Sequence, residues 1–452
     1  MTDSPGRIRR LLGVSALAVL LSACGGEAAE VAPDPRPESP TVPPGTTGPL
    51  TILHPYTGDA ARAEFDAIIE AFNTKHPGIT VRAERATDLD ELVRAGIDTG
   101  APVDIVIHPQ VELLAALIGE GHVRALDDAL DVPRLEQDLV AGVLDDVRFD
   151  DRTFAIPLRL TIKSLVWYSP STFEARGYST PDTWSEMMTL SDRMIAEGLA
   201  PWCIGIESAG ATGWVATDWV EDILLRALGV DAFDAWVRGD LPFASDEVKG
   251  ALEAFLVPIW TDDDAVAGGR ARIATESFGA SAAGILGPDP ECGMHRQSHL
   301  IEDFLVAVEP DARFGVDYDF FALPPIVPGR RPVLGGGEFA ATLTGSPAAM
   351  LFMQFLALPE SGGPWAERRG SLSPFAPVLA ATTSTDDSSR RASEILAQAT
   401  TFRVDGSERM PRAVGSAPGP GSFWTEMTAW ISGEQSLDEA LIAIDALYAG
   451  VR

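Results

Sequence analysis

Positive charge is what this 452-residue chain has least of: three lysines and 31 arginines stand against 66 acidic residues, for a net charge of −32. Nucleic acid requires a basic footprint, so that partner class is set aside, and anionic ligands are disfavoured unless a local basic pocket overrides the surface. Long apolar runs are also missing. The stretch "LLGVSALAVLL", residues 11 to 21, falls short of the roughly 20 residues that a membrane-spanning helix needs. No later segment reads as a span. There is no glycine-rich nucleotide loop, no G-x-S-x-G nucleophile motif, no internal repeat and no heptad pattern. No cofactor is expected.

The amino terminus is informative about compartment. Arg7, Arg9 and Arg10 precede the short apolar run, which is the build of an export signal. It ends in "LSAC", Leu21 to Cys24, which resembles the lipobox of bacterial lipoproteins. That resemblance implies a signal peptide over 1–23, lipid on Cys24, and a chain anchored at the outer face of the cell membrane. Residues 24–49, with seven prolines and almost nothing to bury, read as a disordered tether. With Cys24 lipidated, Cys203 and Cys292 remain in an oxidising compartment and are expected to pair, two free buried thiols being the alternative. Cys292, His295 and His299 have ligand-like spacing. A closed zinc site needs a fourth ligand and none is near, so no metal is expected.

The remaining 400 or so residues exceed one core and suggest two lobes. Strand 50–56, helix 59–75, strand 79–84, helix 88–98, strand 103–108 and helix 111–119 alternate, which predicts a parallel sheet covered by helices. Ligands of such sheets lie beyond the carboxyl ends of the strands. Those ends carry "HPYTG" (54–58) and "HPQ" (108–110), polar loops suited to a hydroxyl-rich ligand. Further on come a helix over 182–197, a strand "WCIGIE" (202–207), and helices over 210–229, 231–238 and 246–260. A glycine-rich strand over 332–345 reads as a return crossing. In the 210–229 helix, Val215, Trp219, Ile223 and Ala227 share a core face. Trp214 lies off that face, and Asp218 sits one turn below it.

Several stretches in order, "IKSLVWYSPSTFEARGYSTPDTWSEM" (162–187), "PWCIGIESAGATGWVATDWVEDILLR" (201–226), "HRQ" (295–297), "LGGGEF" (334–339), "RRGSLSPF" (368–375) and "GSFWTEMTAWISGEQSLDEAL" (421–441), resemble the solute-binding lipoproteins of carbohydrate ABC importers, of the maltose- and α-glucoside-binding type. The resemblance implies an α/β fold of two lobes with a multi-strand hinge and a ligand cleft between them. The expected bounds are 50–159 with 318–344 for one lobe and 160–317 with 345–452 for the other. It also implies a monomer that captures a neutral sugar without chemistry and hands it to membrane permease subunits.

A sugar offers flat C–H faces edged by hydroxyls, so its site wants aromatic rings and a polar or charged rim. Trp424 matches the position where maltose-binding proteins stack a sugar, and Trp214 is the second stacking candidate. Phe278 falls where relatives often carry a tryptophan. Lys163, Glu207 and Asp218 are rim candidates. Gly336 and Gly337 with Glu338 would let backbone approach a ligand, or would simply bulge a lobe crossing. Tyr56, Thr57, Gly58 and Gln110 are the contacts expected from the first lobe. Two other readings compete. A glycoside hydrolase could pair Glu207 with Asp218. The same fold could instead bind an amino sugar or a glycerophosphodiester, with Arg159 near Lys163 as the phosphate partner.

Overall fold

The structure, a computed structural model, describes residues 42–451 apart from 57, 367–369, 382, 383 and 385. The expected signal peptide, Cys24 and most of the tether lie outside the described residues, as does Thr57.

The opening alternation forms as the periodicity predicts. Strand β1 (Gly48–His54), helix α1 (Asp59–Lys75), strand β2 (Ile79–Arg85), helix α2 (Leu89–Asp98), strand β3 (Ile105–His108) and helix α3 (Val111–Gly119) follow one another. In α1 the buried Phe65, Ile68 and Phe72 recur at helical spacing. All four residues of β3 are buried, as a central parallel strand covered on both faces requires. Strand β1 pairs in parallel with β2 on one side and β3 on the other.

The sheet is completed by segments distant in sequence: β4 (Ala155–Ile162), β9 (Pro332–Thr342) and β10 (Thr401–Val404). Strand β4 runs antiparallel along β9 from Gly335 to Ala341. On its other side β9 has two partners in succession. Pro332–Gly335 pairs in parallel with β10, and Phe339–Thr342 pairs antiparallel with β3. The carboxyl ends of β10 and β3 therefore point at each other across Gly336, Gly337 and Glu338.

A second, four-stranded sheet contains β5 (Leu165–Tyr168), β6 (Ala200–Trp202), β7 (Cys292–Arg296) and β8 (Asp319–Ala322), in the order β8-β5-β7-β6. Its helical cover includes α4 (Trp214–Ala227), α5 (Phe278–Ala282), α6 (Ile301–Val308) and α7 (Phe423–Ile431). Trp219 is fully buried and meets Trp202 and Trp260 edge-on at 5.2 and 6.0 Å, so the packing role expected of it holds. Cys203 and Cys292 are disulfide-bonded, with Cα atoms 5.5 Å apart.

Two expectations are corrected, and the strands of a third stretch divide between the sheets. The strand over 202–207 reduces to Ala200–Trp202, after which the chain touches its neighbours only through single bridges such as Glu207 with Ser277. The helix over 246–260 is two pieces, Asp246–Phe255 and Val257–Trp260, because Pro258 has no N–H to continue the ladder. Residues 318–344 do not stay together: β8 joins the four-stranded sheet, and only β9 joins the six-stranded one. Strand β10, from the stretch grouped with the other lobe, closes the six-stranded sheet.

Candidate functional site

The two facing strand ends carry the loops that build the site. At the end of β3, Gln110 is the N-cap of α3, and the His108 ring nitrogen Nδ1 accepts the Gln110 N–H at 2.9 Å. The sister turn after β1 is made the same way, His54 Nδ1 accepting the Tyr56 N–H at 3.2 Å. Burial lowers the pKa of both imidazoles, which suits this acceptor role. At the end of β10 the loop 405–408 follows. The Glu112 N–H of α3 donates to the Glu408 carbonyl at 3.2 Å, so the two loops meet.

Lys163 leaves the end of β4 beside this meeting point. Its ammonium bonds the Asp218 carboxylate of α4 at 3.1 Å and that of Asp405. Glu221, one turn along α4, accepts the N–H groups of Gly406 and Ser407 at 2.7 and 3.0 Å, which ties the loop to the helix. Asp405 caps its own turn by accepting the Glu408 N–H at 2.9 Å. Carboxylate oxygens of Asp218, Glu221 and Asp405 lie within 4.8 Å of one another, a spacing that a cation could bridge. The Lys163 ammonium already bridges two of them and Glu221 is held by backbone amides, so this donor set is committed to protein partners. Glu408 is half-buried, with Oε2 4.0 Å from where a Cβ on Gly336 would stand.

Four carboxyls and one ammonium in one place cannot all ionise cheaply. Burial, with Asp405 and Asp218 adding to it, pushes Glu408 up to about 8. Burial likewise pushes Asp218 up to about 6 against the pull of Lys163 and Arg296, and holds Glu221 well above its ordinary range. Burial alone would lower Lys163, but the carboxylates of Asp218 and Asp405 outweigh it and hold the amine protonated. The native site thus retains protons at neutral pH.

This has a measurable sign. Glu408 rises from an ordinary 4.5 to about 8, so its contribution to stability is complete below pH 4.5 and is lost as pH climbs through 8. His295, lowered by burial from 6.5 to about 4, acts in the opposite sense, but only between those two values. Above pH 6.5 His295 no longer opposes it, the raised Glu221 acts in the same sense, and we expect the unfolding free energy to fall between pH 6.5 and 8. Urea unfolding at both pH values checks it; Glu408→Gln is expected to flatten that slope, and an equal slope in the variant would refute the assignment.

The rings flank this cluster. Trp214 opens α4 and is half-buried, with the Lys163 ammonium 5.5 Å from its ring centre and Phe278 edge-on at 5.2 Å. Gly213, at φ 109°, caps the helix in the left-handed region. A Cβ there would overlap the Trp424 carbonyl, so glycine lets the starts of α4 and α7 touch. Trp424, in the first turn of α7, is also half-buried. Its indole Nε1 is buried with no hydrogen-bond partner among the described residues. Behind the site, buried Asp222 holds Arg226, Arg296 Nη2 at 2.5 Å and the Ser164 hydroxyl at 2.8 Å, and Arg296 Nη1 stands 3.8 Å from Asp218.

The remaining expected residues divide. Glu207 bonds locally: its carboxylate accepts the Ala209 N–H at 2.8 Å, and its carbonyl accepts the Phe278 N–H at 3.2 Å. It therefore positions Phe278, and the carboxylate pair imagined with Asp218 is engaged by other partners. Gly336 and Gly337 sit in the β4 ladder opposite Thr161 and Leu160, with a register shift after Glu338. Glu338 does not reach the Lys163 cluster. Its carboxylate is held by Arg159, whose guanidinium lies over the rings of Tyr56 and Trp365 at 5.6 and 5.4 Å. Tyr56 is buried in that cluster, while Gly58 is the exposed N-cap of α1. The metal-like spacing at 292–299 resolves otherwise: Cys292 is in the disulfide, His295 Nδ1 lies 2.9 Å from the Cys203 carbonyl, and His299 Nε2 lies 2.7 Å from the Ser388 hydroxyl. Sequence reasoning missed Glu221, Asp405 and Glu408. The polar run "DGSE" directly after "TFRV" was the available signal, being a loop at a strand's carboxyl end.

Comparison with known proteins agrees with this build. The family described as bacterial extracellular solute-binding protein matches residues 58–363. The α-glucosides-binding periplasmic protein AglE of Rhizobium meliloti (strain 1021) is 35% identical over 404 residues, covering 86% of this chain and 85% of that protein. The osmoprotective compounds-binding protein GgtB of Synechocystis sp. is 35% identical over 361 residues, 80% of this chain and 83% of that one. Among solved structures, the bacterial solute receptor AcbH, described as having an exclusive preference for β-D-galactopyranose, superposes with a TM-score of 0.75 at 15% identity. That match covers 90% of this chain and 98% of the receptor, and the likeness is one of fold: α/β and two-lobed. Among the described residues no helix is long and apolar enough to cross a membrane.

Proposed function

From the premise that this chain belongs to the bacterial extracellular solute-binding protein family, we propose that it captures a neutral sugar, an α-glucoside or short oligosaccharide, for an ABC importer. The observation that carries the ligand class is the half-buried Trp214 ring beside Lys163, Asp218 and Asp405. A ring for the sugar face stands against a charged cluster that forms the polar rim. Trp424, with its unpartnered indole N–H, supplies a second ring and a donor.

The charge of the site separates neutral from anionic ligands. Three carboxylates and Glu408 surround one ammonium, and Arg159 is engaged by Glu338, so among the described residues this cluster offers a phosphodiester no free cation. We assign one lobe to each sheet, with β8 in the second lobe and β10 in the first, and the site where β10, β3 and α4 converge. Sugar binding favours the closed arrangement, which the permease reads. The "LSAC" stretch supports a lipid anchor on Cys24 and an extracytoplasmic position at the membrane. The relatives are binding proteins, and no catalytic step is invoked.

Calorimetric titration of the purified chain with maltose, trehalose, sucrose, maltotetraose and glycerophosphocholine tests the reading. We expect saturable binding of a neutral sugar, and a loss on the order of tenfold to a hundredfold in affinity on Trp424→Ala. Binding of glycerophosphocholine alone would overturn the ligand class.

A further inference from the structure

Beyond Trp214 the aromatic surface continues outward. Phe278, edge-on to Trp214 at 5.2 Å, is in turn edge-on to Phe304 of α6 at 5.1 Å. The three rings come from three different helices, so their contiguity is a product of the fold. Phe304 is seated deliberately: a Cβ on Gly279 would overlap its ring, and glycine there lets the ring lie against the α5 backbone. Yet Phe304 remains 37% exposed, and the carboxylate-bearing Asp303 next to it is exposed as well.

Resting on the sugar-binding reading above, we infer that Phe304 is an outer sugar subsite, engaged by the third or later residue of an oligosaccharide whose first residue lies at Trp214. The subsite selects for chain length. A monosaccharide or a short disaccharide held at Trp214 does not reach it, whereas a longer chain lays a C–H face on the Phe304 ring. Continuity of the three rings names this occupant. The apolar neighbours on the same helix face, Leu300 at 43% and Val308 at 54% exposed, are separate from the ring chain and serve as internal controls.

The test is calorimetric titration of the full chain and its variants with maltose and maltotetraose. Phe304→Ala is expected to weaken maltotetraose about three- to tenfold, the range of one ring contact, and to leave maltose within about twofold. Gly279→Ala, which displaces the ring without removing it, is expected to act in the same direction. Leu300→Ala and Val308→Ala are expected to change neither sugar. Equal weakening of both sugars by Phe304→Ala, no change in either, or the same loss with Leu300→Ala would each overturn the subsite. Trp214→Ala separates the two levels. If it weakens both sugars while Phe304→Ala does nothing, only the outer subsite falls. If it too does nothing, or the parent binds neither sugar, the subsite falls together with the reading beneath it. Phe304 is partly exposed, so its alanine variant keeps its fold, and a thermal melt of each variant verifies that.

Discussion

Replacing Lys163 with methionine is expected to lower the unfolding free energy by about 3–5 kcal/mol at pH 7.5, the usual penalty for stripping the partner from a buried charge. Methionine approximates the length of the lysine stem, so packing is largely conserved and the charge is what goes. Asp218 is 1% exposed and Asp405 is fully buried, and both bond this ammonium. Without it, among the described residues, Arg296, 3.8 Å from Asp218, is the cation that remains paired with that carboxylate. The abandoned carboxyls then take up protons more readily in the native state, so the deficit shrinks as pH falls toward 5. Urea unfolding of parent and variant at pH 5.0 and 7.5 reads this directly. A deficit of the same size at both values would assign the loss to packing. Sugar affinity is expected to fall at least about tenfold in the same variant, because Asp218 and Asp405 lose the group that orients them.

Removing the disulfide is the second large effect. Cys203 and Cys292 are 89 residues apart in sequence, and closing a loop of that length restricts the unfolded chain by about 4 kcal/mol in the chain-entropy account. The double variant Cys203→Ser with Cys292→Ser is therefore expected to unfold at markedly lower denaturant, and reductant is expected to move the parent to the same place. A parent midpoint indifferent to reductant, with the bond shown to be reduced, would refute the contribution. The bridge anchors the start of β7 to the chain leaving β6, the edge strand of the four-stranded sheet, so the loss falls first on that edge.

Much of the fold was legible because it is local. The alternation from β1 to α3 could be read within a residue or two from apolar spacing and from stops such as Pro77-Gly78. What was not legible is long-range. In α4 the apolar stripe through Trp219 was correctly read as core, yet the opposite face is buried too, with Asp218, Glu221, Asp222 and Arg226 inside the protein. Helical periodicity reports only the apolar half of such a helix. The charges that make the other half tolerable come from Lys163, Arg296 and the Asp405 loop, 55, 74 and 185 residues away along the chain. Strand β10 was missed for a related reason: four residues of "TFRV" are too short for a periodic signal and become a strand only by pairing with β9.

The candidate residues divide along the same line. Trp214, Asp218, Lys163, Phe278 and Trp424 were named from residue type and family pattern, and the fold sets Lys163 against Asp218 and Trp214, Phe278 against Trp214, and the Trp424 backbone against Gly213. Tyr56 and Glu338 were named by the same logic, but Arg159 draws both into a separate buried cluster. Composition, the export-like amino terminus, the helix and strand periods and the family were therefore decided by the sequence alone, since each depends on neighbours a few residues apart or on totals. Which acids share one ammonium, which glutamate keeps its proton, and which rings line up toward Phe304 were decided only by the tertiary structure. Burial and Coulomb interactions depend on distance in space, and the register of β9 between β10, β3 and β4 is what brings those groups within reach of one another.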